Sequence, residues 1–402
     1  MAPLTLSYAK GTHTDAQYDE DAMKSSSRGI VDPFIVMDVM EAARAAEASG
    51  RHIIHMEVGQ PSTPAPDKAR AALVDAMGGD ALGYTVSLGL PALRDGIAKL
   101  YKHWYHLDID PNRVVVTPGS SGAFILAFTA LFDAGDKVGL GEPGYPSYRQ
   151  ILKALNLTPV GIPTRAENRL QPVPSEIPGD LAGLITASPA NPSGTMLDHA
   201  ALEGLISTCH AQGTRFIADE IYHGLQYEGR AVSALEVSDD IYVINSFSKY
   251  FSMTGWRVGW MIVPEDHVRL IERLSQNMFI CPSHASQIAA IAALDARDEL
   301  DANLTTYAAN RQLMIEELPK IGFDKFAPPD GAFYIYADVS DLTDDSRAFA
   351  AEVLDKVGVA LTPGLDFDPR RGHQTLRFSY ARSTEDIREG LRRLAKFMQA
   401  RR

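Results

Sequence analysis

The sequence predicts an α/β fold: a three-layer arrangement around a mostly parallel sheet, followed by a smaller α+β unit. Three observations predict it. Short runs of nearly continuous Val, Ile and Leu recur between about residues 113 and 263, the pattern of strands covered on both faces. Amphipathic helical stretches separate these runs, so the crossovers favour parallel pairing. After about residue 300 the alternation gives way to a long helical segment and isolated strands, which reads as a second unit.

The elements follow in order. Residues 1–27 show little periodicity and read as an arm. Residues 33–49 read as a helix, with Asp32 as N-cap, Pro33 at the first position and Gly50 as the stop. Residues 53–58 read as a short strand ending at Gly59. Strands are expected at 113–117, 137–140, 183–187, 215–218, 241–245 and 258–263, and helices at 91–105, 121–132, 197–211 and 267–278. The second unit offers a helix at 301–318, a strand at 333–337, a helix at 346–357, a strand at 375–380 and a last helix from Thr384. The expected division is residues 1–60 as an arm and part of the small domain, 61–298 as the large domain and 299–402 as the rest of the small domain.

Composition narrows the function classes. The chain has 402 residues, 45% hydrophobic and 22% charged, so it can bury a sizeable core without staples. A net charge of −13 and the lack of a Lys/Arg-rich run argue against a nucleic-acid partner. No apolar stretch approaches the ~20 residues that span a bilayer. Residues 1–24 are polar, without the apolar centre of a secretory signal, and Cys209 and Cys281 are too few for a disulfide framework. A cytoplasmic protein is expected. His52 with His55, and His103 with His106, lack a third ligand nearby, so no metal site is expected.

In open α/β sheets ligands gather beyond the carboxyl ends of the strands. After the strand at 113 comes Thr117-Pro118-Gly119-Ser120-Ser121-Gly122, a small hydroxyl-rich turn opening a helix and suited to an anion. After the strand at 137, Tyr145 stands between two prolines and could offer a flat ring to a flat ligand. The formal Gly139-x-Gly141-x-x-Gly144 match to a dinucleotide turn is discounted, because Pro143 and Pro146 interrupt the helix that should begin there. Next come Asn191 between prolines, then Asp219-Glu220-Ile221-Tyr222, then Ser246-Phe247-Ser248-Lys249 and Arg257. Apolar neighbours lower an ammonium pKa and make Lys249 a candidate nucleophile. Each signal alone also reads as an ordinary turn, cap or packed side chain.

Together, Tyr84, Ser120-Ser121-Gly122, Tyr145, Asn191-Pro192-Ser193-Gly194, Asp219-x-x-Tyr222, Ser246-x-Ser248-Lys249, Arg257 and Arg377 resemble the class I aminotransferases, pyridoxal-phosphate enzymes of fold type I, over roughly residues 30–400. The resemblance implies transfer of an amino group from an L-amino acid to a 2-oxo acid by a ping-pong mechanism. It implies that Lys249 bonds covalently to the cofactor aldehyde and later serves as general base, and that Asp219 pairs with the ring nitrogen. Asn191 and Tyr222 would donate to the ring oxygen, and Tyr145 would stack on the ring. Ser120, Ser121, Gly122, Ser246, Ser248 and Arg257 would hold the phosphate. Tyr84 would reach it from a partner subunit, implying a homodimer with shared active sites. Arg377 would clamp the substrate α-carboxylate beside Gly59. Dicarboxylate-specific members add a second cation. At the matching positions this chain has Ser275, Gln276 and Ser121, with apolar Met278-Phe279-Ile280 alongside, so a neutral, hydrophobic or aromatic donor is expected. The alternative is a lyase or synthase of the same fold, such as a carbon–sulfur lyase, which would share the cofactor residues. In the turn Thr362-Pro363-Gly364-Leu365-Asp366-Phe367-Asp368, Asp368 replaces the glycine many members carry.

Overall fold

The structure is a computed structural model that describes residues 25–401, so the arm reading for residues 1–24 lies outside the described residues. The large sheet has seven strands: β1 (Val114–Thr117), β2 (Lys137–Glu142), β3 (Thr158–Pro163), β4 (Gly183–Ala187), β5 (Arg215–Asp219), β6 (Tyr242–Ser246) and β7 (Gly259–Ile262), in spatial order β1-β7-β6-β5-β4-β2-β3. Only β7 runs antiparallel to its neighbours, β1 and β6. Its amino end therefore lies at the same edge as the carboxyl ends of the other six.

Both faces of the sheet are covered. Val115, Ile185, Ile217, Ile244 and Met261 pack on one side with Phe124 and Phe128 of α2 (Gly119–Leu131). Val116, Leu184, Ala218, Val243 and Trp260 pack on the other. This period-two alternation, apolar on both faces, is why the strands read as continuous hydrophobic runs.

The second sheet holds β8 (Lys325–Phe326), β9 (Tyr334–Asp338), β10 (Thr362–Pro363) and β11 (Thr375–Ser379), all antiparallel in the order β10-β11-β9-β8. Register places Arg377 of β11 opposite both Tyr336 and Thr362. Near the amino terminus, Ile54–His55 pairs in parallel with Val359–Ala360, which ties the early chain to the late one.

Several elements differ from the sequence reading. Strand β3 is absent from that reading, because Thr158-Pro159-Val160-Gly161-Ile162-Pro163 carries two prolines and a glycine. It is the edge strand, where a missing N–H costs nothing in the ladder. Helices at Asp67–Met77, Pro146–Ala154 and His284–Ala293 are also additions. Pro146 interrupts nothing: it is the first residue of its helix, where its fixed φ is suited and no N–H is needed. The first helix, α1 (Ile35–Ala48), has Phe34 rather than Asp32 at its N-cap. Asp32 instead pairs with Lys153 at 2.8 Å and accepts from Gln150 at 3.0 Å.

Candidate active site

An open cleft lies at the carboxyl edge of the large sheet. The segments after β1, β2, β4, β5 and β6, and the one before β7, all contribute to its lining, as do α1 and β11. Eleven of the sequence-predicted residues meet there: Gly59, Ser120, Ser121, Tyr145, Asn191, Asp219, Tyr222, Ser248, Lys249, Arg257 and Arg377.

Three do not. Gly122 lies inside α2, against Pro118, and Gly119 is the glycine at the turn itself. Ser246 is buried beneath Ser248, their hydroxyls 2.9 Å apart. Tyr84 is 85% exposed and lies outside this chain's cleft. Met278 and Ile280, expected near the substrate, are also exposed and do not line the cleft.

One end of the cleft is built for an anion. Helix α2 starts without a side-chain cap, so its first N–H groups are free to meet a ligand. Gly119 has φ +70°, and a Cβ there would come within 2.2 Å of the Arg257 guanidinium. Only glycine lets that cation close over the helix start. The Ser120, Ser121 and Ser248 side chains line the same region. These donors fit a phosphate group.

The centre of the cleft is buried and charged. Asp219 ends β5; its carboxylate accepts from the Tyr148 hydroxyl and from the Ile221 N–H. Burial raises its pKa to about 6, against those hydrogen bonds and nearby Lys249, which lower it. Lys249 donates to the Gly59 carbonyl. Its pKa is lowered to about 7, first by burial and then by the positive charges of Arg377 and Arg257, with Asp219 opposing. The apolar neighbours expected from the sequence are thus only part of the cause. An amine poised near neutrality can act both as a nucleophile and as a base.

At the far end Arg377 is buried. It donates to Asn191 Oδ1 at 2.9 Å and to the Glu57 carbonyl, and its guanidinium lies 4.4 Å from the Tyr334 ring centroid. Its Nε is buried and has no hydrogen-bond partner among the described residues. A donor held in this state is ready for an incoming carboxylate. The Tyr222 and Tyr334 hydroxyls are 2.7 Å apart. Gly59 must stay small, because a Cβ there would fall 2.1 Å from Tyr334 Oη.

Sequence reasoning missed Tyr148, Tyr334 and the α1 side. Tyr148 carries a readable signal: it stands three residues after Tyr145, on the first turn of a helix opened by Pro146. In α1, Ile35, Val39, Ala43 and Ala46 pack into a small core, while Val36, Met37 and Met40 form a second apolar stripe that lines the cleft. A helix with two apolar stripes signals a second partner.

A tuned amine, a buried carboxylate and an anion cradle at one sheet edge can serve carbonyl chemistry on a phosphate-bearing ligand. The family model for "Aminotransferase class I and II" matches residues 51–394. A valine–pyruvate aminotransferase from Mycobacterium tuberculosis is 47% identical, covering 92% of this chain and 97% of that protein. An aspartate aminotransferase from Thermotoga maritima is 34% identical, covering 91% and 96% respectively. A solved chain from Silicibacter pomeroyi is 69% identical with a TM-score of 0.90, covering 94% of this chain and all of that one. The chain belongs to the class I and II aminotransferases. It is a transaminase of fold type I, and this membership implies use of pyridoxal phosphate. The lyase alternative is not favoured.

Proposed function

We propose that the cleft binds pyridoxal 5′-phosphate and transfers the amino group of a neutral aliphatic L-amino acid to a 2-oxo acid, in a cytoplasmic homodimer. When bound, the cofactor supplies an aldehyde for the amino group and a ring that takes up negative charge. The remaining work falls to this chain's own residues. The α2 N–H groups, Ser120, Ser121, Ser248 and Arg257 hold the phosphate, with Ser246 steadying Ser248. Tyr145 gives the ring a flat surface. Asp219 balances a positive ring nitrogen, and the Tyr148 hydroxyl keeps its carboxylate aimed. Asn191 and Tyr222 donate to the ring oxygen; Asn191 Oδ1 is already engaged by Arg377, which leaves its amide N–H groups for that task.

Arg377 holds the donor's α-carboxylate through its unpartnered Nε. Lys249 is the covalent anchor for the cofactor, and its Nζ accepts the donor's α-proton when neutral. The observation that carries this reading is the meeting of Lys249, Asp219 and the anion cradle in one cleft with Arg377 at its far end. Borohydride reduction of the holoenzyme should attach the cofactor to Lys249; an adduct at any other residue would contradict the assignment.

The donor class rests on the lining. Its only cations among the described residues are Lys249, Arg257 and Arg377, all with tasks above, and the α1 side is apolar. The name of the 47%-identical relative agrees with an aliphatic donor. The homodimer is supported by exposed Tyr84, Val86 and Ile280 in adjoining segments, where the Ser87 hydroxyl donates to the Ile280 carbonyl at 2.7 Å. The cytoplasm is supported by the two free cysteines. No helix among the described residues is long and apolar enough to cross a membrane. The domain division at residues 60 and 298 is supported by the two sheets, which draw their strands from 114–262 and 325–379.

A further inference from the structure

The apolar wall of the cleft is held from the far end of the chain. Helix α1 has no side-chain cap of its own, although the first N–H groups of any helix need partners. Asp366 supplies them: Oδ1 accepts from the Ile35 N–H at 3.0 Å and Oδ2 from the Val36 N–H at 3.0 Å. Its carboxylate is buried, and its charge faces the positive end of the helix. The next residue of the same turn, Phe367, has its ring centroid 4.8 Å from the Arg377 guanidinium. One turn therefore supports both the carboxylate clamp and the helix that faces it. The backbone gripped by Asp366 is the backbone that carries Val36, and Met37 follows directly.

Resting on the neutral-donor reading above, we propose that Asp366 is a positioning residue for donor selection. By clasping the start of α1, it holds Val36, Met37 and Met40 at the distance at which an aliphatic side chain fills the gap between this wall and Arg377. A short side chain gains little from the wall; a branched one gains most.

The test compares kcat and KM of the holoenzyme for L-leucine and L-alanine, with a saturating 2-oxo acid, in wild type, Asp366→Ala and Asp366→Asn. Asp366→Ala should lower the leucine-to-alanine ratio of kcat/KM about tenfold, chiefly through KM, as the loss of a cap and of a fitted apolar contact predicts. Asp366→Asn keeps one carbonyl acceptor and should recover part of the ratio. The visible absorption of the bound cofactor should not move. If Asp366→Ala fails to fold, Met37→Ala carries the test, because that side chain is half exposed, and it should lower the same ratio. A ratio that stays constant, or leucine and alanine falling together, overturns the proposal. A wild type without preference for aliphatic donors sinks the neutral-donor reading and this proposal with it. A wild type with that preference, left intact by these substitutions, sinks this proposal alone.

Discussion

The floor and the apolar wall of the cleft are built differently. The floor hangs from the ends of parallel strands. Asp219 is the last residue of β5 and takes hydrogen bonds from Tyr148 and Ile221; Lys249 comes just after β6 and meets the Gly59 carbonyl. Asp219 is buried and Lys249 partly buried, and both are held by their partners. The wall is one helix, gripped at its start by two bonds from Asp366, with Met37 half exposed. The floor can keep charged groups at fixed positions, which the chemistry needs. The wall contributes apolar shape to the cleft.

The largest expected effect breaks the floor. Lys249→Ala should lower turnover by more than about 10³-fold, because it removes both the proposed covalent anchor and the proposed proton acceptor. Single-turnover kinetics with holo-protein would measure it, and near-normal turnover would refute the role. Arg377→Lys comes next. A lysine keeps the charge but loses the planar two-pronged fork, so KM for the amino donor should rise by about 10- to 100-fold while cofactor affinity holds. A matching loss of cofactor affinity would place Arg377 in general scaffolding instead.

Tyr148→Phe removes one hydrogen bond to a buried carboxylate. A fall in kcat of about tenfold is expected, the size of one charge-assisted bond, with a shifted absorption band of the bound cofactor. An unmoved spectrum would mean that Tyr148 only fills space. The mildest perturbation is pH. The Lys249 pKa is lowered to about 7, so the amine is neutral above that value and becomes charged as pH falls through it. The rate at which apo-protein couples the cofactor aldehyde should rise from pH 6 to 8 and then level. A rate still climbing beyond pH 9 would mean an ordinary lysine.

Most of the floor was legible in the sequence because contiguous residues encode it. Gly183–Ala187 is a strand as read, and the stretch after it, Ser188 to Thr195, is the loop that brings Asn191 to the cleft. Residues 91–105 and 346–357 are likewise helices as read. The features that escaped were those that depend on distant partners. Edge strand β3 went unread because its prolines are harmless only at an edge. Asp32 looked like the cap of α1 because it is adjacent, whereas the carboxylate that caps it is 330 residues away. Asp368, whose local sequence carries no readable consequence, is buried and binds Arg371 at 2.8 Å, and Arg371 reaches the carbonyls of Glu142 in the large sheet and of Thr164 just beyond β3.

By itself the sequence determined the alternation of strands and helices, the order of the polar turns and the residue types that would carry the chemistry. All of these are written in short stretches, through side-chain periodicity and turn composition. Tertiary structure alone decided which turns share a cleft, how far the lysine's proton affinity drops and which helix forms the apolar wall. Those depend on burial and on charges brought together from remote segments, and no local window of sequence contains them.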